Sequence, residues 1–333
     1  AENVHHIKVD PAWKQLDPKD DSVDADVPDF IKNVVQPMNA QKGDDLPVSA
    51  FLNREDGTFP AGTTEYEKRG IAVNIPEWQE DQCIQCNQCA YVCPHAAIRP
   101  WLINEEEKKN MPEGTVTIPA KGKNFAGLDY RVQVAALDCT GCGVCVDVCP
   151  TKEKALVMKP LDEQHDQIEK WNYFANNVSY KDNLVPKDRT VKNSQFAQPL
   201  FEFSGACAGC GETPYVKAIT QLFGERMMIA NATGCSSIYG GSAPSTPYCE
   251  HKESGHGPAW ANSLFEDNAE YGYGMALAVN NQRRRIANIM RDASKNGISE
   301  EIKTAFDEWI DNMDDANGSV EATSKVIKAL QGS

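Results

Sequence analysis

Cys83-Ile84-Gln85-Cys86-Asn87-Gln88-Cys89-Ala90-Tyr91-Val92-Cys93-Pro94 recurs, with its cysteines and proline in the same places, as Cys139-Thr140-Gly141-Cys142-Gly143-Val144-Cys145-Val146-Asp147-Val148-Cys149-Pro150. Each copy reads Cys-x2-Cys-x2-Cys-x3-Cys-Pro. A 4Fe–4S cube needs four soft thiolate ligands, and this doubled spacing supplies them for two cubes. Three thiolates come from one tight loop and the fourth comes from the other copy. Cys83, Cys86, Cys89 and Cys149 are therefore expected to hold one cluster, and Cys139, Cys142, Cys145 and Cys93 the other. The proline after each fourth cysteine offers no N–H and turns the chain away. Zinc sites use paired cysteines and fit a doubled run of three plus one poorly. Disulfides need an oxidising compartment, for which nothing else in the chain speaks. Small residues inside the motifs (Gly141, Gly143 and Ala90) should let backbone N–H groups approach the sulfurs.

The chain has 333 residues and a formal net charge of -15. That length has room for roughly two domains. Such an acidic balance argues against nucleic acid, whose phosphates need clustered Lys and Arg. The run Arg283-Arg284-Arg285 reads as a solvated helix face or a contact to another chain segment rather than a phosphate site. No apolar run has transmembrane length, so a cytoplasmic protein with no membrane partner is expected. The start, Ala1-Glu2-Asn3-Val4-His5-His6, lacks the pattern of a signal peptide. It also lacks an initiator Met, so the chain reads as processed or as a piece of something longer.

Four stretches follow from punctuation and periodicity. Residues 1–75, with Asp17-Pro18-Lys19-Asp20-Asp21 and Gly43-Asp44-Asp45, read as an extended connecting arm with a short helix near Phe30–Val35. Such an arm is expected to lie against a larger body outside this sequence. Residues 76–160 read as an α+β two-cluster ferredoxin-like domain. Its motifs are separated by an insertion over 95–138 with strands at Thr115–Ile118 and Tyr130–Val134. Residues 161–200 read as a linker in which Trp171, Tyr173, Phe174 and Tyr180 are anchors. Residues 201–333 follow another grammar: a helix over Tyr215–Phe223, a buried strand over Met227–Ala232, then a helix opened by a capping box at Ser263–Glu266 and running through Met275 and Val279. Two amphipathic helices, Ile302–Met313 and Val320–Leu330, end the chain. Strand, helix and strand with chemistry at the strand ends is the pattern of part of an open α/β domain.

Cys207-x2-Cys210 and Cys235 supply three more thiolates. A lone Cys-x2-Cys also serves as a redox pair or half a zinc site, but beside two clusters a third cluster is the better reading. Cys249 is the only cysteine left over.

At these residues a resemblance enters. Cys207-Ala208-Gly209-Cys210-Gly211-Glu212-Thr213-Pro214-Tyr215, then Ala232-Thr233-Gly234-Cys235-Ser236-Ser237-Ile238-Tyr239-Gly240, then Gly257-Pro258-Ala259-Trp260-Ala261-Asn262-Ser263-Leu264-Phe265-Glu266-Asp267-Asn268-Ala269-Glu270-Tyr271-Gly272 resemble pyruvate:ferredoxin oxidoreductase. That family carries a two-cluster domain just upstream, in the order seen here. The resemblance covers roughly residues 76–285. It implies an enzyme that decarboxylates pyruvate on thiamine diphosphate with Mg2+, passes acetyl to coenzyme A, and sends electrons through three clusters to ferredoxin or flavodoxin. It also implies a homodimer and the remaining domains of the same enzyme as partners. Cys207, Cys210 and Cys235 would bind the cluster nearest thiamine. Gly209, Gly211, Glu212, Gly234 and Ser236 would lie in the thiamine neighbourhood.

The same resemblance shows what is missing. The fourth ligand of that third cluster and the Gly-Asp-Gly magnesium motif lie downstream in the family, and no Gly-Asp-Gly occurs here. The chain is thus expected to be an internal or C-terminal piece, inactive alone. Glu212 reads either as a catalytic carboxylate or as a helix-start acid favoured by the macrodipole. Cys249 reads either as a replacement fourth ligand or as a partly buried free thiol. His256 reads as a loop-packing residue before a catalytic one, and His95 as a surface or cluster-shielding residue. A stand-alone polyferredoxin-type carrier, or a related 2-oxoacid oxidoreductase, remains the alternative.

Overall fold

A computed structural model describes residues 8–12, 27–243 and 245–331. Much of the early arm, including Asp17-Pro18, lies outside the described residues. The two cysteine motifs organise the first body. Each is flanked by two strands: β1 (Asn74–Trp78) and β2 (Ile98–Ile103) around the first, β4 (Asp129–Val134) and β5 (Leu156–Pro160) around the second. Pairing crosses the repeat: β1 runs antiparallel to β5, with Trp78 opposite Leu156, and β2 antiparallel to β4, with Ile98 opposite Val134. A short helix in each copy, α1 (Gln88–Tyr91) and α2 (Val144–Asp147), carries the third cysteine and ends before the fourth.

Strand periodicity explains why β2 and β4 are buried on both faces. Alternate side chains point to opposite faces. Ile98, Leu102, Tyr130, Val132 and Val134 pack into one core with the cysteine loops, joined by Trp78, Leu156 and Phe196. On the other face Trp101 and Ile103 meet Phe174 and Val178. Phe174 belongs to helix α3 (Asp166–Asn177), so the presumed linker contains a 12-residue helix that closes the back of the sheet. Its aromatics are anchors: Trp171 and Phe174 are buried. The presumed insertion is shorter than 95–138, because both its ends are core strands. The strand expected at Thr115–Ile118 reduces to β3 (Ile118–Pro119), paired with β4 at Tyr130 and Asp129.

Over residues 62–70 the arm lies on this chain. The amide of Gly62 donates to the Tyr248 carbonyl at 2.7 Å, and that of Gly70 to Leu137 at 2.9 Å. Lys68 pairs with Asp138 at 2.7 Å. Residues Phe30–Val35 are helical as expected, with a π-helical turn over Ile31–Val35.

In the second half, helix α4 (Thr213–Phe223) leads to β6 (Met228–Ala232), which pairs in parallel with β7 (Ala259–Ser263). β6 is not the buried strand expected, since Met228 is half exposed and only Asn231 is buried. Phe201 forms a single antiparallel bridge to Tyr248. Helix α5 (Asn268–Lys295) does run through Met275 and Val279, but no capping box opens it: Ser263 is the last residue of β7, and the N-cap is Asp267 without a side-chain bond. α6 (Glu300–Asn312) and α7 (Gly318–Gln331) follow. They pack on the end of α5 around a core of their own, formed by Ala287, Met290, Ile302, Ala305, Phe306, Trp309, Ala322 and Val326. Arg284 and Arg285 are exposed on α5, a solvated face. Among the described residues no helix is long and apolar enough to cross a membrane.

Candidate metal centres

Two cavities sit where the repeats cross. One is lined by Cys93, Cys139, Cys142 and Cys145, with Pro76, His95 and Ile98 among its walls. The other is lined by Cys83, Cys86, Cys89 and Cys149, with Trp78, Tyr130 and Leu156. Each gathers three cysteines of one copy and the last cysteine of the other. Pairing of β1 with β5 and β2 with β4 enforces this, because it carries each fourth cysteine to the partner loop.

The residues fit a thiolate-bound cube. The walls are otherwise largely apolar, and amide hydrogens point at sulfur: Gly141 N–H lies 3.4 Å from Cys139 Sγ and Ala155 N–H 3.4 Å from Cys149 Sγ. The hydroxyl of Thr151 lies 3.2 Å from Cys149 Sγ. Burial would raise the Cys149 thiol, but the Thr151 hydroxyl, the amides of Thr151 and Ala155, and Lys154 outweigh it and hold it below its usual value. Burial pushes Cys139 up to about 12 despite the Gly141 amide, and it also raises Cys89 and Cys145. Iron binding must displace these protons, so loading releases acid.

Backbone shape around the two loops is matched with different residues. Gly141 and Gly143 have φ of +69° and +78°, and the equivalent Gln85 and Asn87 both have +61°. A Cβ at Gly141 would come within 2.9 Å of the Asn74 carbonyl. In the first loop the strain is offset by side-chain bonds. Gln85 donates to Pro119 O at 2.8 Å and accepts from Lys121 N–H at 2.7 Å. Asn87 donates to Lys192 O and accepts from Tyr130 OH, each at 2.8 Å.

The third cysteine set lies against the first cavity. Gly209, between Cys207 and Cys210, has φ +73°, and a Cβ there would stand 3.8 Å from Cys142 Cβ. His95 is buried, not on the surface. Its Nε2 bonds the Ala206 carbonyl at 2.8 Å, which ties the Cys93 turn to the residue before Cys207. Tyr239, downstream of Cys235, donates to Glu212 Oε1 at 2.8 Å. That bond links the segment after Cys210 to the segment after Cys235. Glu212 is the N-cap residue of α4, and its side chain makes no capping bond. Cys207 and Cys235 are exposed. Burial would raise the Cys210 thiol, but the amides of Thr213 and Glu212 hold it lower. Gly211 and Gly234 would carry a Cβ into open space, and Ser236 sits in the short turn Cys235–Ser237.

Cys249 points elsewhere. It is buried beside Gly62 of the arm, and its thiol donates to Pro199 O at 3.5 Å. Burial, and the nearby carboxylate of Glu202, raise it well above its usual value. His256 is exposed, and its backbone carbonyl accepts from His251 N–H at 2.8 Å, a loop-packing role.

Sequence reasoning overlooked Lys217. It is 2% exposed on α4, and its Nζ donates to the carbonyls of Ala90, Tyr91 and Cys93. Burial pushes it down to about 8, against the pull of the Cys93 and Cys89 thiolates. A lysine within an apolar-periodic helix gives no warning of this reach.

Three family models match parts of the chain. A 4Fe-4S dicluster domain matches residues 82–155, a domain of unknown function (EKR) residues 17–72, and the insertion domain of pyruvate-ferredoxin oxidoreductase residues 282–333. The pyruvate:ferredoxin oxidoreductase of Moorella thermoacetica is 55% identical over 333 residues, 99% of this chain and 28% of that protein. The pyruvate-flavodoxin oxidoreductase of Enterobacter agglomerans is 54% identical over 98% of this chain and 28% of its own length. The pyruvate dehydrogenase [NADP(+)] of Cryptosporidium parvum is 52% identical over 91% of this chain and 15% of its own. The chain thus spans little more than a quarter of the first two relatives. By sequence it belongs to the pyruvate:ferredoxin and pyruvate-flavodoxin oxidoreductases, and it corresponds to a stretch of them that carries a 4Fe-4S dicluster domain.

Proposed function

We propose that the chain is the electron-transfer part of an oxidoreductase that converts pyruvate and coenzyme A to acetyl-CoA and carbon dioxide, with ferredoxin or flavodoxin as acceptor. The observation that carries this reading is the pair of cavities, each lined by four cysteines drawn from both repeats. Cys93, Cys139, Cys142 and Cys145 would hold one 4Fe–4S cluster, and Cys83, Cys86, Cys89 and Cys149 the second. Bound clusters supply one-electron carriage, with potentials set by hydrogen bonds to sulfur, charge and exposure. The chain's own residues set the order. The Cys207 loop comes close to Cys142 at Gly209, where a Cβ would stand 3.8 Å from the Cys142 Cβ, so electrons enter at the Cys93 cavity and leave from the Cys149 cavity. His95 holds the entry loop in register, and the cavity walls around the sulfurs are largely apolar.

Cys207, Cys210 and Cys235 would bind a third cluster, completed by a ligand outside this chain. Gly209, Gly211, Glu212, Gly234 and Ser236 would supply at most one wall of a thiamine diphosphate–Mg2+ site. A homodimer is implied by the resemblance, and a cytoplasmic location is the expectation from the sequence. One relative is named for NADP(+) rather than ferredoxin or flavodoxin, which supports a shared wire whose terminal acceptor is chosen elsewhere. A stand-alone carrier is disfavoured, since such a carrier has no use for the Cys207 and Cys235 motifs.

Metal analysis and EPR after anaerobic reconstitution test the reading. About eight iron atoms per chain are expected from the two complete sets, with substoichiometric iron beyond that and no change in Cys249→Ala. Cys93→Ala should damage the cluster of Cys139, Cys142 and Cys145. Loss of the Cys83, Cys86 and Cys89 signal instead would overturn the ligand crossing, and zinc in excess of iron would overturn the electron-transfer role.

A further inference from the structure

Helix α4 docks on the cluster domain by its polar stripe. Thr213, Lys217, Thr220 and Gln221 are buried, while Tyr215, Ile219 and Phe223 are exposed. Within that stripe Lys217 Nζ donates to Ala90 O, to Tyr91 O at 3.0 Å and to Cys93 O at 3.4 Å. These carbonyls close α1 and lead into the Cys93 turn. All three partners are neutral. A buried ammonium without a carboxylate costs several kcal/mol on the order typical of desolvated ions. A neutral donor would satisfy the same carbonyls at lower cost, as Gln221 does for Ala197 O at 2.9 Å on the same helix face. With clusters bound, the anionic groups nearest Lys217 would be the thiolates of Cys93 and Cys89, and the neighbouring cation Arg99 is paired with Glu202.

We propose that Lys217 is a positioning residue that sets a redox potential: its fixed positive charge stabilises the reduced form of the cluster that Cys93 helps to hold. Reduction adds one electron, and therefore one negative charge, to that cluster while Lys217 keeps its proton. In a low-dielectric interior the attraction of a nearby cation for that added charge is large, so the potential rises. Because Cys210 leads directly into α4, the charge reaches the cluster only when the segment bearing the third cysteine set is docked. The entry cluster would then be a better acceptor in the assembled state than in an undocked one. This inference rests on the two-cluster reading above.

The test is an EPR-monitored redox titration of the anaerobically reconstituted chain, with Lys217→Met, Lys217→Gln and Lys217→Arg beside it. Cys93→Ser identifies which signal belongs to the Cys93 cluster. In both neutral variants iron content should hold and the Cys93 midpoint should fall by at least a tenfold change in its reduction equilibrium, about 59 mV for one electron. The Cys149 cluster should move less, and Lys217→Arg should keep the original midpoint. Full iron with an unchanged gap between the two midpoints would overturn the proposal. Loss of iron from both neutral variants would also overturn it, by making Lys217 a structural staple. Failure of the unsubstituted chain to take up two clusters would show, before any variant is compared, that the two-cluster reading itself falls.

Discussion

Residues 85, 87, 141 and 143 hold one backbone shape by two chemistries. All four have positive φ, a region that costs a non-glycine residue roughly 1–3 kcal/mol. In the second loop glycine removes the cost. In the first, Gln85 and Asn87 offset it by bonding to Pro119, Lys121, Tyr130 and Lys192. The two loops are therefore not interchangeable. Gly141→Gln should lose about 1–3 kcal/mol from backbone strain alone, with a further penalty from the Asn74 carbonyl. Gln85→Gly should lose about 1 kcal/mol, since relieved strain offsets the lost hydrogen bonds. Urea midpoints of the two variants check this, and equal losses would refute it. The repeat made the equivalence visible in sequence, but the partners of Gln85 and Asn87 lie 34 to 105 residues away and were not legible.

At the scale of elements, periodicity succeeded where one layer covers one face. The α6 apolar residues Ile302, Ala305, Phe306 and Trp309 are all buried as their spacing predicts. It misleads for α4, whose apolar residues Tyr215, Ile219 and Phe223 face out while its polar residues face in. An apolar stripe of this kind marks a surface suited to further protein. The capping box at Ser263 failed for a related reason: pairing with β6 kept Ser263 in a strand. The last three helices carry a core drawn from residue 287 onward, so damage there should stay local. Trp309→Ala should cost that module about 3–5 kcal/mol, compounded by loss of the bond from Trp309 Nε1 to Thr323 at 3.0 Å. Helical ellipticity should fall on mild heating while bound iron is unchanged, and coupled loss of iron would refute the separation.

Over the whole molecule, one buried junction ties arm, cluster domain and second half together. Arg99 of β2 pairs with Glu202 and lies over Trp171 and Phe203. Thr64 of the arm donates to Glu202 O at 2.8 Å, and Glu202 N–H donates to Pro247 O at 2.9 Å. A second tie, His251 to Asp182 at 2.9 Å, is pH-sensitive. The bond to Asp182 raises the His251 pKa above its unfolded value of about 6.5. Its contribution is complete below that value and is lost as pH rises through the higher folded one. The denaturation midpoint should therefore decline as pH rises above about 6.5, and Asp182→Asn should remove this part of the slope; an unchanged slope would refute the tie. The sequence by itself determined the eight-cysteine framework and the crossing it implies, because ligand number and loop spacing are properties of short segments. It also determined the helices whose apolar stripes meet a core nearby in the chain. Only the tertiary structure decided that residues 161–200 contain a helix closing the sheet, that the arm folds back on its own chain, that Cys249 points away from the third cysteine set, and that Lys217 reaches the Cys93 turn. Each of those depends on which distant surface a segment meets, and a polar group's partner across a hundred residues leaves no periodic trace in the sequence.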